Sequence, residues 1–186
     1  MLPSCRPLVP RFETANPVKL CVMPGTDTKS VEIERKFVLD GKPEWLDDYD
    51  SARIEQGYLA IVEGETEVRV RRKDGQAVLT VKQGAGEVRR EEEIELTEDQ
   101  FEALWPLTEG RRVAKRRYEV PYEGLTTEID VFEGPLSGIV TAEVEFSSEE
   151  ASAAFEPPEW LGREVTGDPK YTNESLATRG APEGAK

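Results

Sequence analysis

The sequence predicts a mainly β protein, α+β in detail: an eight-stranded antiparallel β-barrel, closed or nearly closed, with a charged lumen and outer helices. Three observations predict it. Eight segments alternate apolar and polar residues with period two. Short glycine turns join segments adjacent in sequence, which makes those neighbours antiparallel. The polar faces carry charges of both signs on nearly every segment. A one-sided sheet can present a solvated charged face. Interleaved acids and bases on almost all strands fit a polar lumen better.

The elements follow in order. Residues 1–29 hold several prolines and no period, and are read as a disordered leader. Residues 31–37 open the β pattern. Glu32, Glu34 and Lys36 share one face, and Val31, Ile33 and Phe37 the other. Arg35 faces outward with the apolar set and is expected to contribute little. Residues 53–62 form a strand with Ile54, Tyr58 and Leu59. In 67–72, Glu67, Arg69 and Arg71 alternate with Val68 and Val70. Gly75 turns the chain into 77–82, and a turn at 84–86 leads to 88–96, where Arg89, Glu91, Glu93 and Glu95 share one parity.

Thr97 caps a helix over 98–105 with Phe101, Leu104 and Trp105 on its apolar face, and Pro106 ends it. A hairpin of 111–120 and 126–132 turns at Glu123-Gly124. Residues 139–146 are the last strand. Ser147 or Ser148 caps a short helix to about Phe155, and 170–178 is the final helical segment. The domain therefore runs over 30–178, followed by a loose tail at 179–186.

Composition narrows the chemistry. With no histidine, Ser-His-Asp and Cys-His catalysis, imidazole bases and His-ligated zinc are excluded. Cys5 and Cys21 form neither a CxxC motif nor a disulfide framework. A net charge of −14 argues against nucleic-acid or anionic-membrane partners. No apolar run approaches the roughly 20 residues of a membrane span, and residues 1–10 lack a signal-peptide core. A cytoplasmic protein is expected, with the oligomeric state, a homodimer included, left open.

Charges drawn into a lumen must be paired, hydrated or metal-bound. Clustered carboxylates suit a hard divalent cation, Mg²⁺ or Mn²⁺. Clustered arginine and lysine suit phosphate oxygens. A polyphosphate–metal complex needs both in one cavity.

The ordered motif series resembles the CYTH superfamily, the triphosphate tunnel metalloenzymes. It comprises Glu32-x-Glu34-x-Lys36, Arg69-x-Arg71, Lys82, Arg89-x-Glu91-x-Glu93, Lys115-x-Arg117, Glu128-x-Asp130, Glu143-x-Glu145 and Gly167-Asp168-Pro169-Lys170-Tyr171-x-Asn173. The resemblance covers about residues 30–178. Ile54-Glu55-Gln56-Gly57-Tyr58-Leu59 and Trp160-Leu161-Gly162 look like the short bacterial members.

The resemblance implies that Lys36, Arg69, Arg71, Lys82, Lys115 and Arg117 grip phosphates. It implies that Glu32, Glu34, Asp130, Glu143 and Glu145 hold metal and orient water. Arg89, Glu91, Glu93 and Glu128 are supporting lumen charges, and the three glutamates are either metal-facing or partners that orient the bases. Tyr58 matches a tyrosine that pairs catalytically with the first-motif lysine in some members; it is otherwise a half-buried strand tyrosine. Lys170 sits in a segment that closes one tunnel mouth, touching phosphate or lying on the surface. Pro169 departs from the two basic residues often found after the aspartate.

The function expected is metal-dependent hydrolysis of inorganic triphosphate. The alternatives are an adenylate cyclase or thiamine triphosphatase of the same family, and a non-enzymatic polyphosphate or nucleotide binder. Trp45, Trp105 and Trp160 are read as packing residues, so no aromatic box for a base is evident.

Overall fold

Tight turns set the strand order. Asp74 and Gly75 both adopt positive φ (48° and 85°), as do Glu123 and Gly124 (49° and 81°). Such pairs make type I′ turns, whose twist matches that of paired strands. In this computed structural model the described residues are 33–62, 64–84 and 90–184. Glu32, Arg89, the 84–86 turn beyond Gly84 and the 1–29 leader lie outside them.

The strands are β1 (Ile33–Val38), β2 (Ser51–Val62), β3 (Thr66–Lys73), β4 (Gln76–Gln83), β5 (Arg90–Leu96), β6 (Arg112–Tyr122), β7 (Leu125–Phe132), β8 (Val140–Phe146) and β9 (Arg163–Glu164). The helices are α1 (Glu98–Leu104), α2 (Glu149–Ala154) and α3 (Asn173–Arg179). All nine strands form one sheet in the order β5-β4-β3-β2-β6-β7-β8-β1-β9, and every pairing is antiparallel. The eight expected strands are present. A ninth, two residues long, is too short to leave a periodic signal. The sheet is not a closed barrel: among the described residues no ladder joins β5 to β9. β5 is glutamate-rich and exposed along nearly its whole length, and β9 has too few residues to pair with it.

The apolar faces point outward and are covered except on β5, where Ile94 is 55% exposed. Phe37, Tyr118, Val120, Ile129, Val144 and Phe146 pack under Leu46, Phe155 and Leu161. Trp45 and Trp160 meet edge-on at 5.2 Å on this cluster. On the other half, Phe101 of α1 seals Val70 and Ala77 and stacks on Trp105 at 5.1 Å. Thr97 and Gln100 form the capping box that starts α1. No described helix is long and apolar enough to cross a membrane.

Two features escaped the period-two pattern. The β2–β3 register shifts between Tyr58 and Ala60, so Leu59 is a bulged residue. Ile54, Gln56 and Tyr58 face inward before it, while Leu59 joins the outer cluster. The second feature is Arg35. It faces outward as expected but is not idle. Its guanidinium pairs with both oxygens of Glu164 (3.0 and 2.7 Å) and donates to the carbonyls of Ser152 and Phe155. It thereby ties β1 to β9 and to the end of α2.

At one end the inward face turns apolar. Val113 and Phe132 pack with Leu136, Ile139 and Leu176 of α3, with Ala177 and Ala181 against them. Ala181 falls in the stretch expected to be loose, and it packs.

Gly57 lies beneath the buried Thr108, whose side chain would stand 2.4–2.9 Å from an added Cβ. Thr108 also holds Arg112 and the Trp105 carbonyl. Gly57→Ala is expected to cost about 1–3 kcal/mol through overpacking, measured by urea unfolding. An unchanged midpoint would show that the Thr108 loop yields freely.

Candidate active site

The inward faces of β1 to β8 and the first residues of α3 line a single cavity of about 720 Å³. Alternation alone puts these side chains there. Direct cross-strand partners share a face, and the registers place Lys36 opposite Glu143, Glu34 opposite Glu145, Arg117 opposite Asp130 and Arg69 opposite Tyr58.

One wall is cationic. Arg69 contacts Glu67 at 3.2 Å and Glu91 at 3.9 Å, Arg71 reaches Glu93 at 3.7 Å, and Lys82 pairs with Glu91 at 2.9 Å. The longer of these contacts are loose. The Nε of Arg69 is buried without a hydrogen-bond partner among the described residues. Burial lowers the proton affinity of Arg71, and the neighbouring charges of Arg69 and Arg117 lower it further. A group of cations that disfavours itself, with one N–H left over, is poised for an anion.

The opposite wall is mixed. Lys36 Nζ donates to Glu143 at 2.7 Å, and Arg117 reaches the other Glu143 oxygen at 3.2 Å. Arg117 also pairs with Glu128. Burial alone would raise the Glu143 carboxyl, but Lys36 and Lys115 outweigh it and hold the pKa below the ordinary value. Burial raises Glu128, aided by nearby Asp130, Glu143 and Glu145 and opposed by Arg117.

Asp130, expected among the metal ligands, is placed differently. It is 1% exposed and absent from the cavity lining. Its Oδ1 accepts from Arg117 Nε at 2.7 Å; its Oδ2 accepts from Lys115 Nζ at 2.5 Å and Arg117 Nη2 at 2.6 Å. Both oxygens thus anchor the cations Lys115 and Arg117. Lys115 also donates to Asn173 Oδ1 at 3.1 Å, linking the wall to α3.

Tyr58 and Lys36 both line the cavity, with different partners. The phenol oxygen of Tyr58 accepts from Gln56 Nε2 at 2.7 Å, whereas Lys36 is engaged by Glu143. Burial pushes the Tyr58 phenol well above its ordinary value, and Glu67 adds to that. Lys170 is exposed and outside the cavity lining. Gln56, Glu67 and Glu174 are also on the cavity wall; sequence reasoning put Glu67 on the face of Arg69 and Arg71 without giving it a role, and missed Gln56 and Glu174. Gln56 had one signal, the same parity as Tyr58; Glu174 follows the Asn173 motif on the first turn of α3.

The remaining carboxylates fit a divalent metal. Glu34 and Glu145 lie directly opposite each other across β1 and β8, and Glu128 and Glu143 across β7 and β8. Like charges so placed repel unless a cation lies between or beside them. Among the described residues no three acidic groups already form a metal cage.

Comparison with known proteins agrees. The model of the CYTH domain matches residues 30–181. The inorganic triphosphatase of Nitrosomonas europaea is 45% identical over 148 residues, 78% of this chain and 96% of that protein. The inorganic triphosphatase of Acetivibrio thermocellus is 40% identical over 152 residues, 78% of this chain and 92% of that protein. The crystal structure of the inorganic triphosphatase NE1496 superposes with TM-score 0.67 at 42% identity, covering 80% of this chain and 95% of that one. Motif order, cavity and relatives converge, and the chain belongs to the CYTH domain family.

Proposed function

We propose that this protein hydrolyses inorganic triphosphate to pyrophosphate and phosphate, with Mg²⁺ or Mn²⁺ as cofactor, in the cytoplasm. The observation that carries this is the pairing, in one cavity, of an under-satisfied arginine cluster with opposed carboxylates. The names of its relatives support the substrate. Among the described residues Tyr58 is the one aromatic ring in the lining, so a nucleobase or thiazolium finds little to stack on there.

Arg69, Arg71, Lys82 and Arg117 bind and orient the phosphoryl oxygens. Glu34, Glu143 and Glu145, with Glu32 outside the described residues, hold the metal and orient water. When bound, the metal neutralises phosphate charge and polarises the phosphoryl group. Water oxygen bonds to the terminal phosphorus, the bridging P–O bond breaks, pyrophosphate leaves with the bridging oxygen, and the water's proton passes through the carboxylates to solvent. The arginines, fixed by Asp130, Glu67, Glu91 and Glu93, oppose the charge that develops. A phosphate-release panel of triphosphate, pyrophosphate, ATP and thiamine triphosphate tests this. Faster turnover of ATP or thiamine triphosphate than of triphosphate would overturn the substrate.

Arg71→Ala is expected to lose one charge-assisted donor, about 2–3 kcal/mol of transition-state stabilisation. Arg69→Ala should match it. Arg35→Ala should lower the unfolding midpoint, because its ties to Glu164 and α2 are lost, yet leave kcat of the folded enzyme unchanged. Equal losses of kcat/KM in Arg35→Ala and Arg71→Ala would refute the assignment of faces.

The pH profile tests the base. A phenolate base would lose rate as pH falls through its pKa. Burial moves that pKa up, farther from neutrality. The wild type and Tyr58→Phe are therefore expected to give pH–rate profiles of one shape, differing in height. An alkaline rise present in the wild type and missing in Tyr58→Phe would restore Tyr58 as the base.

A further inference from the structure

We propose that Gln56 is a positioning residue, holding the phenol oxygen of Tyr58 so that the phenol O–H points into the cavity as a donor to a substrate oxygen. This rests on the triphosphatase reading above.

The geometry carries the inference. Gln56 and Tyr58 are two apart on β2, so their side chains are neighbours on the inward face. Both are almost wholly buried, at 3% and 1% exposure. The amide Nε2 donates to the phenol oxygen at 2.7 Å. A phenol has one proton. Because the amide supplies the hydrogen of their shared bond, the phenol's own proton remains for another acceptor. Beyond the pair lies the cationic wall: Gln56 is the register partner of Arg71, and Tyr58 of Arg69. Among the described residues the Arg69 Nε–H has no hydrogen-bond partner, so two donors, one neutral and one charged, stand side by side. A phosphoryl oxygen entering the cavity can accept from both, in a wall where Glu67 and Glu174 also act on the phenol. A leucine would fill the Gln56 position without burying an amide, so packing alone does not call for glutamine. The elevated phenol pKa agrees with a group that works protonated.

The test is a mutant cycle with a spectroscopic arm. Gln56→Leu and Tyr58→Phe are each expected to lower kcat roughly tenfold, the worth of one buried hydrogen bond. The double variant should be no slower than Tyr58→Phe, since the amide acts only through the phenol. Gln56→Glu keeps the shape but accepts rather than donates, so it turns the phenol proton to the wall and should also be slow. Wild-type rate in Gln56→Glu, or multiplying losses in the double variant, would overturn the proposal.

In the protein without substrate, the ¹³Cζ resonance of Tyr58, assigned by its loss in Tyr58→Phe, should shift in Gln56→Leu. An unmoved resonance in a folded Gln56→Leu protein would overturn the proposal even if rates fell. If the wild type fails to hydrolyse triphosphate while the resonance moves, the functional reading falls and the Gln56–Tyr58 orientation stands. Should Gln56→Glu fail to fold, the near-isosteric Gln56→Leu decides both arms.

Discussion

Excess chelator is expected to abolish triphosphate hydrolysis, and Mg²⁺ or Mn²⁺ to restore it. Charge dictates the size of the effect. Glu34 faces Glu145, and Glu128 faces Glu143, across adjacent strands. Triphosphate adds several further negative charges to the same cavity. Lys36 and Arg117 already relieve part of the carboxylate repulsion, but two unit charges 4 Å apart interact by about 4 kcal/mol at the effective dielectric of a protein surface, so the charges that triphosphate brings call for a further cation. Ca²⁺, with a larger and looser shell, is expected to bind and inhibit. A second readout needs no turnover. Metal that binds the folded carboxylates and not the unfolded chain raises the melting temperature with concentration. Glu34→Gln/Glu145→Gln should lose that rise. Full turnover in chelator, or a metal-induced rise that survives the double variant, would remove metal from this carboxylate group.

Which parts of this site were legible in the sequence follows from what period two encodes. Parity fixes a face, so Lys36, Arg69, Arg71, Lys82, Glu91, Lys115, Arg117, Glu143 and Glu145 all reach the cavity from alternation alone. Parity says nothing about partners. Asp130 reads like Glu143 in sequence, yet it lies below the cavity floor because Lys115 and Arg117 both close on it. Arg35 reads as a stray charge on an apolar face. Its role depends on Glu164 and α2, more than a hundred residues away. Period two also fails where the backbone breaks it, at the Leu59 bulge, and where a strand has two residues, at β9. Gln56 carries no charge to draw notice; only the bond to Tyr58 reveals it. Closure was the harder matter. Eight charged faces are compatible with an open, curled sheet as well as a barrel, because the lumen charges can pair and hydrate in either.

Asp130→Ala is expected to destabilise the fold by about 3–5 kcal/mol, the cost of stranding buried charges by deleting their partner. Lys115 is 2% exposed, and after the change its partners among the described residues would be Asn173 Oδ1, the ring of Phe132 at 5.4 Å and the more distant charge of Glu143. Arg117 would retain Glu128 and Glu143, so most of the cost falls on Lys115. Removing both members of the pair, as Asp130→Leu with Lys115→Met, should recover much of the stability while leaving turnover low, since Lys115 lines the cavity. The pH dependence has a definite sign. Burial would raise the Asp130 carboxyl, but Lys115 and Arg117 outweigh it and hold its folded pKa below the ordinary value. Its contribution is therefore full above the unfolded pKa of about 4 and is lost as pH falls through the lower folded value. Asp130→Ala should remove that acid-side slope and lower the plateau at neutral pH. Urea midpoints measured with Mg²⁺ and with chelator then separate two roles. An anchor for Lys115 and Arg117 costs the same in both conditions. A metal ligand would cost more with Mg²⁺ present, and that result would return Asp130 to the metal site.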